Sequence, residues 1–553
     1  MRLSGADHLS GRLCAAGGNE EIMLKKKIWK PFAGIVFLIT LASAALVAFA
    51  LIRIDILPEK YLLLFLAFEA GALLVAALLL YVGLHKKRSR ARQVRRVIGF
   101  FLCILLVAGN FFAASVLADL GRTKEAVGDR HEHVALVGVY VFHSDAAQTL
   151  ADTASYRYGV LGGFEKGTSD YALSELAGRL GGAIDAQEYE TISEAVTALR
   201  DGSVRALAVN KNYLDLLSES ENFGNLSEEL RLIETLEVPL GVSSGSEEDS
   251  SSSGTGTSSS AGALFGSRLP SKPARSEQPS AAEKVEKDKC IVLYLSGNDA
   301  LTSALTTGRS DVNILMLINP ATDQILLLNT PRDYYVPNPA LGGGMDKLTH
   351  CGLFGTYNSM AALEGLYDVE IDNYCQINFS GFIKLVDALG GITLDNPRAF
   401  YSSSGYFFPE GEITLDGEHA LSYGRERDAF GDGDLARGRN LMRLITAMID
   451  KAKGSGTSLL TSYPAVLESL GDMFATDLSS DEISALVKLA IRDLSEWEVL
   501  STSVSGDGGI MRTASGGEVP LYVMRPDVAQ VERTSALLDR FLAGERIEQD
   551  DLG

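Results

Sequence analysis

CIVLYLSG (290–297), VNILMLIN (312–319) and QILLLNT (324–330) are three dense apolar runs, each of strand length, and the last two are joined by the turn PATD (320–323). A helical pattern follows at TYNSMAALEGLYDV (356–369), then strand NYCQIN (373–378), helix FSGFIKLVDALGG (379–391), strand ITLD (392–395) and a helix from Asp434 to Lys453. Strands alternating with helices in this way predict an α/β fold, an α/β/α layered domain with a mixed sheet, over residues 288–545.

Upstream of this block the composition changes abruptly. Residues 243–280 hold 14 Ser in 38, with Gly, Thr and Pro and almost no large apolar side chain. Such a stretch buries too little to offset the entropy of ordering, so 241–287 is expected to be a flexible linker. Before it, HVALVGVYVF, YRYGVLGGF, SDYALSELAGRLG, QEYETISEAVTALRDG, VRALAVN and NYLDLLSE alternate extended and amphipathic patterns, which predicts a small α/β accessory domain over 131–240. Its order resembles part of one periplasmic solute-binding protein. At about 110 residues it has the mass of a single lobe, whereas such ligands sit between two, so a spacer or docking role is expected.

The first 120 residues have another character. Residues 31–52 and 97–118 carry no charge, and 61–84 carry only Glu69. At about 1.5 Å per residue each is long enough to cross roughly 30 Å of hydrocarbon, which predicts a three-helix membrane anchor over 31–120. Glu69 is then expected to face another helix or to be protonated. Lys25, Lys26, Lys27 and Lys30 precede the first span, and HKKRSRARQVRR (85–96) separates the second and third with seven basic residues and no acidic one. Short cytoplasmic segments retain positive charge, so residues 1–30 and 85–96 are expected inside the cell and everything after Asp119 outside.

The formal charge is −21, and the exterior is more acidic still because the inner segments are basic. This argues against a nucleic-acid partner. It also requires that an anionic substrate be held by a local group of arginines rather than by a general positive field. Five cysteines at 14, 103, 290, 351 and 375 are too few and too irregular for a disulfide framework or a zinc site. Cys290, Cys351 and Cys375 allow one bridge or three buried free thiols.

Charged residues in the 288–545 block punctuate strand ends: SGND (296–299), GRSD (308–311), TPRD (330–333), DKLTH (346–350), YGRER (423–427) and GDLARGR (433–439). Asp299 and Asp311 can share one Mg²⁺, a hard cation that prefers oxygen ligands. Arg309, Arg332, Arg425, Arg427 and Arg437 offer planar paired donors suited to phosphate oxygens. In an extended segment Arg425 and Arg427 point to one side, and Arg437, if it opens its helix, adds that helix's positive end. Taken singly each motif has a plainer reading, the aspartates as turn formers, the arginines as solvated surface groups and His350 as a hydrogen-bonded structural residue.

Their order is more specific. SGND, RSD opening a strand, a hairpin into PRD, then KLTH, INFSGF, VDALGG, LDGEHALxYxRxR and DxxR resemble the LytR-CpsA-Psr family of cell-wall enzymes across 289–453, extending to about 545. The resemblance implies an Mg²⁺-dependent phosphotransferase that moves a glycopolymer, such as teichoic acid or capsule, from undecaprenyl diphosphate onto peptidoglycan. By that resemblance Asp299 and Asp311 are metal ligands, and Arg309, Arg332, Lys347, Arg425, Arg427 and Arg437 hold the diphosphate. Asp299, Asp311, Arg332, Arg425 and Arg427 are the expected catalytic set.

Two departures stand out. Asn440 and Leu441 replace an Arg-Gln pair usual after the final arginine, leaving Arg439 or Arg443 as substitutes, and Cys351 replaces an alanine. The lipid needs an apolar tunnel, and FSGFIKLVDAL and LMRLITAMI read equally as core helices. A polyprenyl diphosphate hydrolase and a non-catalytic wall-polymer scaffold are the alternatives to a transferase.

Overall fold

The structure is a computed structural model. It describes residues 7–55, 57–81, 90–127, 133–218, 220, 222–240, 280–286, 288–299, 305, 308–431, 433–455, 470–493 and 497–552. The expected Ser-rich linker lies almost wholly outside the described residues.

Two compact units are present, Met1–Thr123 and Lys124–Gly553. The first consists of helices α1 (Asp7–Ile54), α2 (Glu59–Tyr81) and most of α3 (Arg90–Val127). Within them Pro31–Ile54, Glu59–Tyr81 and Gln93–Arg122 are long and apolar enough to cross a membrane. Glu69 is buried among the helices. With its amide oriented to satisfy both ends, Asn110 donates to Glu69 Oε1 (3.0 Å) and accepts from Ser43 Oγ (3.2 Å), tying the three helices by polar contacts.

The second unit opens with a five-stranded sheet in the order β3-β2-β4-β1-β5. Its strands are β1 (His133–Phe142), β2 (Arg157–Leu161), β3 (Asp185–Tyr189), β4 (Ala206–Asn210) and β5 (Leu230–Leu240), and its helices α4 (Lys166–Leu180), α5 (Ile192–Arg200), α6 (Lys211–Leu217) and the short α7 (Leu226–Glu229). The stretch QEYETISEAVTALRDG, read as one amphipathic segment, divides. Thr191 and Glu194 form a reciprocal capping box that starts α5 at Ile192, and the residues before it become β3. Strand β5 had no counterpart in the sequence reading; its alternating charges conceal an 11-residue partner of β1.

After α8 (Ala281–Glu286) comes a six-stranded mixed sheet, order β16-β11-β6-β7-β8-β17. Strands β6 (Ile291–Asn298), β7 (Val312–Asn319) and β8 (Gln324–Asn329) are antiparallel neighbours, while β11 (Asn373–Asn378) and β17 (Glu498–Ser503) add in parallel and β16 (Phe474–Thr476) closes an antiparallel edge. Alternate residues of β7 serve opposite faces, as the two-residue period requires. Leu315 and Leu317 pack with α10 (Thr356–Tyr367) and the C-terminal helix Val528–Leu542. Ile314 and Ile318 pack with α13 (Asp434–Ser455) and the helix Ser480–Asp493. This is the expected α/β/α sandwich.

The segment ITLD forms β12 (Ile392–Asn396) but leaves the main sheet, pairing instead with β15 (Gly411–Leu415) beside the small hairpin of β13 (Phe400–Tyr401) and β14 (Phe407–Phe408). Helices α11 (Phe379–Ala388) and α12 (Gly417–Arg425) flank this satellite. Two further ribbons complete the fold. One is β9 (Tyr335–Asn338) with β10 (Gly344–Lys347), leading into α9 (Leu348–Cys351), and the other is β18 (Gly506–Arg512) with β19 (Pro520–Pro526).

The 133–240 sheet and the six-stranded sheet are not independent bodies joined only by a tether. Side chains of α5 and α6 share one buried apolar cluster with Leu353, Phe354, Val519 and Leu521. None of Cys103, Cys290, Cys351 and Cys375 is in a disulfide.

Candidate active site

A cavity of about 1000 Å³ opens between the β6–β7–β11 face and helices α11, α12 and α13. Its depth is apolar. Phe379, Phe382 and Leu385 of α11 face Leu441, Leu444, Ile445, Met448 and Ile449 of α13, with Val312 and Met316 of β7 as the floor. The two helices that read as ordinary core therefore turn one flank to a cavity, although Leu444 remains fully packed as well.

The mouth is ionic, and every site residue expected from the sequence lines it: Asp299, Arg309, Asp311, Arg332, Lys347, Arg425, Arg427 and Arg437. Asp333, Asp434 and Tyr522 join them. Six cations thus stand against four carboxylates, so a chain of charge −21 gathers local positive charge at one apolar opening.

Backbone pairing sets these side chains. Asp311 immediately precedes β7, with its N–H on Gly297 O (2.8 Å), and Ser310 N–H donates to Thr349 O (3.0 Å). Gly352 lets this loop approach closely, since a Cβ there would sit 2.7 Å from Gly308 O. Arg332 follows β8, and its carbonyl accepts from Thr349 N–H (2.8 Å), which brings the KLTH segment against the PRD turn. Gly438 does the same for α13, for a Cβ there would lie 2.4 Å from Asn329 Nδ2.

Ion pairs then interlock. Asp311 Oδ1 accepts from Arg332 Nη1 (3.0 Å) and Thr349 Oγ1 (3.1 Å). Arg437 Nη2 lies 2.8 Å from Asp434 Oδ1 and donates to Asp311 O at 3.3 Å. Arg309 donates to Asp299 (3.1 Å), and Lys347 Nζ stands 3.3 Å from Asp333. Burial opposes ionisation of Asp311, but the Arg332, Arg437 and Arg309 guanidiniums outweigh it and hold its carboxyl below the usual range. Burial likewise works against the charge on Arg332, and Asp311, Asp333 and Asp434 reverse the effect, leaving it more basic than a free arginine. Arg332 Nε has no hydrogen-bond acceptor among the described residues. It is buried 3.7 Å from Asp333 Oδ2 and 4.0 Å from Asp434 Oδ1.

Arg425 ends α12 rather than lying in an extended segment, and its guanidinium stacks over Phe379 at 4.7 Å. Glu426 turns the chain into extended backbone, so Arg427 still reaches the mouth. Arg437 lies in the first turn of α13, after Asp434 opens it. Arg439 and Arg443 do not replace the missing Arg-Gln pair. Both face a second cavity of about 750 Å³ on the other flank of α13, while Asn440 donates to Tyr423 O (3.2 Å) and Leu441 lines the apolar depth. His350 is fully buried, with Nδ1 2.7 Å from Asp346 and 3.0 Å from Ser515 Oγ, and it does not line the cavity.

Residues 265–534 match the model of the LytR_cpsA_psr family. A polyisoprenyl-teichoic acid–peptidoglycan teichoic acid transferase, TagU, of Bacillus cereus is 31% identical over 256 residues, 46% of this chain and 80% of its own length. This chain belongs to the LytR-CpsA-Psr family. The TagU protein of Oceanobacillus iheyensis is 38% identical over 209 residues, 36% of this chain and 63% of that relative. TagV of Bacillus subtilis, a solved structure, is 24% identical and aligns over 47% of this chain and 99% of its own at a TM-score of 0.39. Asp333, Asp434 and Tyr522 are the site residues that sequence reading left out of its set. Asp333 adjoins Arg332 and Asp434 opens the DxxR motif, whereas Tyr522 arrives from a distant strand with no motif around it.

Proposed function

We propose that this LytR-CpsA-Psr chain is a phosphotransferase that moves a glycopolymer from a polyprenyl diphosphate carrier onto a peptidoglycan hydroxyl, outside the cell membrane. The observation that carries the reading is the joining of a long apolar cavity to a mouth of six cations. An apolar tunnel suits a prenyl chain, and paired guanidiniums suit a diphosphate at its head. The transferase names of the relatives point the same way. The Lys-rich segment before the first span and the Arg-rich segment between the second and third support an exterior catalytic unit.

In this reading the acceptor hydroxyl attacks the phosphorus that bears the glycan. An O–P bond forms, the bridging P–O bond to the lipid phosphate breaks, and the hydroxyl proton passes to a mouth carboxylate. Lipid monophosphate leaves. Charge builds on phosphoryl oxygens, so the protein contributes mainly position and electrostatic stabilisation from Arg332, Arg425, Arg427 and Arg437. Lys347 and Arg309 extend the clamp. Mg²⁺ takes one or two carboxylates together with water and phosphate oxygens, and Asp299 and Asp311, both facing the mouth, fit that donor set. When bound, the ion would neutralise part of the phosphoryl charge.

The test uses the full chain in detergent with a short glycan on polyprenyl diphosphate, with and without peptidoglycan fragments, beside Asp311→Ala and Arg425→Ala. Glycan on the fragments, lost in both variants, is expected. Lipid phosphate release that ignores the acceptor identifies a hydrolase instead, and no turnover in the parent overturns both enzymatic readings.

A further inference from the structure

The 133–240 domain meets the catalytic layer at the place where the site is built. Helix α6 lies over the loop Gly308–Asp311, and a Cβ on Gly308 would come 3.5 Å from Asn212 Nδ2. The other side of that loop is held by Thr349 and Gly352, as described above. Asn212 thus lies beside the backbone that presents Arg309. The contact is anchored on both flanks. Tyr213, buried next to Asn212, donates its hydroxyl to Glu165 (3.0 Å), and Leu214, Leu216 and Leu217 enter the apolar cluster shared with Leu353 and Phe354. At the far end a Cβ on Gly517, in the loop before β19, would lie 3.2 Å from Thr191 Cγ2 at the start of α5.

We propose that the 133–240 domain is a positioning element of the active site, in which α6 fixes the Gly308–Asp311 loop through Asn212. The inference rests on the diphosphate reading of Arg309. Asn212 is a positioning residue: it acts through the loop that presents Arg309 rather than on substrate. Removing the Asn212 carboxamide loosens the loop and weakens diphosphate binding.

The experiment measures glycan transfer by the full chain in detergent at varied lipid diphosphate concentration. Asn212→Ala is expected to raise KM about fivefold with kcat little changed. Unchanged KM, or a loss of kcat that tracks the folded fraction, would overturn the proposal. If the parent itself transfers nothing, the phosphotransferase reading fails separately. Hydrogen exchange at residues 308–311 then decides the positioning role, with faster exchange in Asn212→Ala supporting it and equal exchange overturning it.

Discussion

Glu165 lies buried at the start of α4, accepting from Tyr213 Oη at 3.0 Å, and burial drives its carboxyl up to about 7 from an ordinary 4.5, with the Tyr213 and Thr168 hydroxyls pulling the other way. At about 1.4 kcal/mol for each pH unit between those values, ionising it in the folded state costs about 3 kcal/mol. A carboxyl raised in the folded state favours folding fully below the unfolded value, and that contribution declines as pH climbs towards about 7. The 133–240 domain should therefore become less stable between pH 4.5 and 7.5, and Glu165→Gln, which keeps an acceptor for Tyr213 and cannot ionise, should lose that slope. Hydrogen exchange of β1, β2 and β4 in the full chain, corrected for intrinsic rates, reads the opening free energy at each pH. The difference between parent and variant should change by about 3 kcal/mol across this range. Curves that stay parallel would show that Glu165 does not titrate on this range in the folded domain.

Asp311→Ala removes the hydrogen-bonded counter-charge of buried Arg332, leaving the more distant Asp333 and Asp434, and should cost roughly 3 kcal/mol in thermal or urea unfolding, the low end for removal of one partner of a buried pair. Because the Asp311 carboxyl lies below the usual range, its contribution is present above about pH 4 and is lost as pH falls through the lowered value, so the variant's deficit should hold steady from pH 8 to 5. Gly438→Ala drives a methyl into Asn329, moves the first turn of α13 with Arg437, and should reduce transfer more than tenfold, roughly the effect of a 1 Å displacement in a positioned site; unchanged turnover would show that α13 has room to spare. Burial pushes the Cys290 thiol up to about 12, so iodoacetamide at pH 8 should leave it unlabelled until the chain is unfolded. Dithiothreitol should not shift the melting temperature.

The sheet was legible where the apolar pattern was dense. CIVLYLSG, VNILMLIN and QILLLNT became β6, β7 and β8 because buried central strands need nearly continuous apolar sequence. Strands whose meaning comes from a neighbour were not. Strand β17 has the mixed sequence EVLSTS and is a strand because Gln324–Asn329 lies beside it in parallel. ITLD was recognised as extended, but nothing in four residues states that it pairs with β15 outside the main sheet. The eight charged site residues were readable because their motifs sit where elements end, Asp299, Arg309, Asp311, Arg332 and Lys347 at or near strand ends and Arg425, Arg427 and Arg437 at or near helix ends, and a layered α/β fold gathers such ends into one cleft. Tyr522 and the contact of Asn212 with Gly308 were not, since both depend on packing between segments far apart in sequence.

In the proposed function a polyprenyl chain lies between the sheet and helices α11 and α13 with its diphosphate at the arginines. The most direct test is photolabelling of the full chain with a polyprenyl diphosphate glycan carrying a diazirine near the lipid tail, followed by peptide mapping. Label is expected on the Leu441–Ile449 stretch of α13 and on Phe382 or Leu385, with loss of that label in Ile445→Trp. Label confined to the membrane-spanning helices, or label on α13 that Ile445→Trp leaves in place, would contradict it.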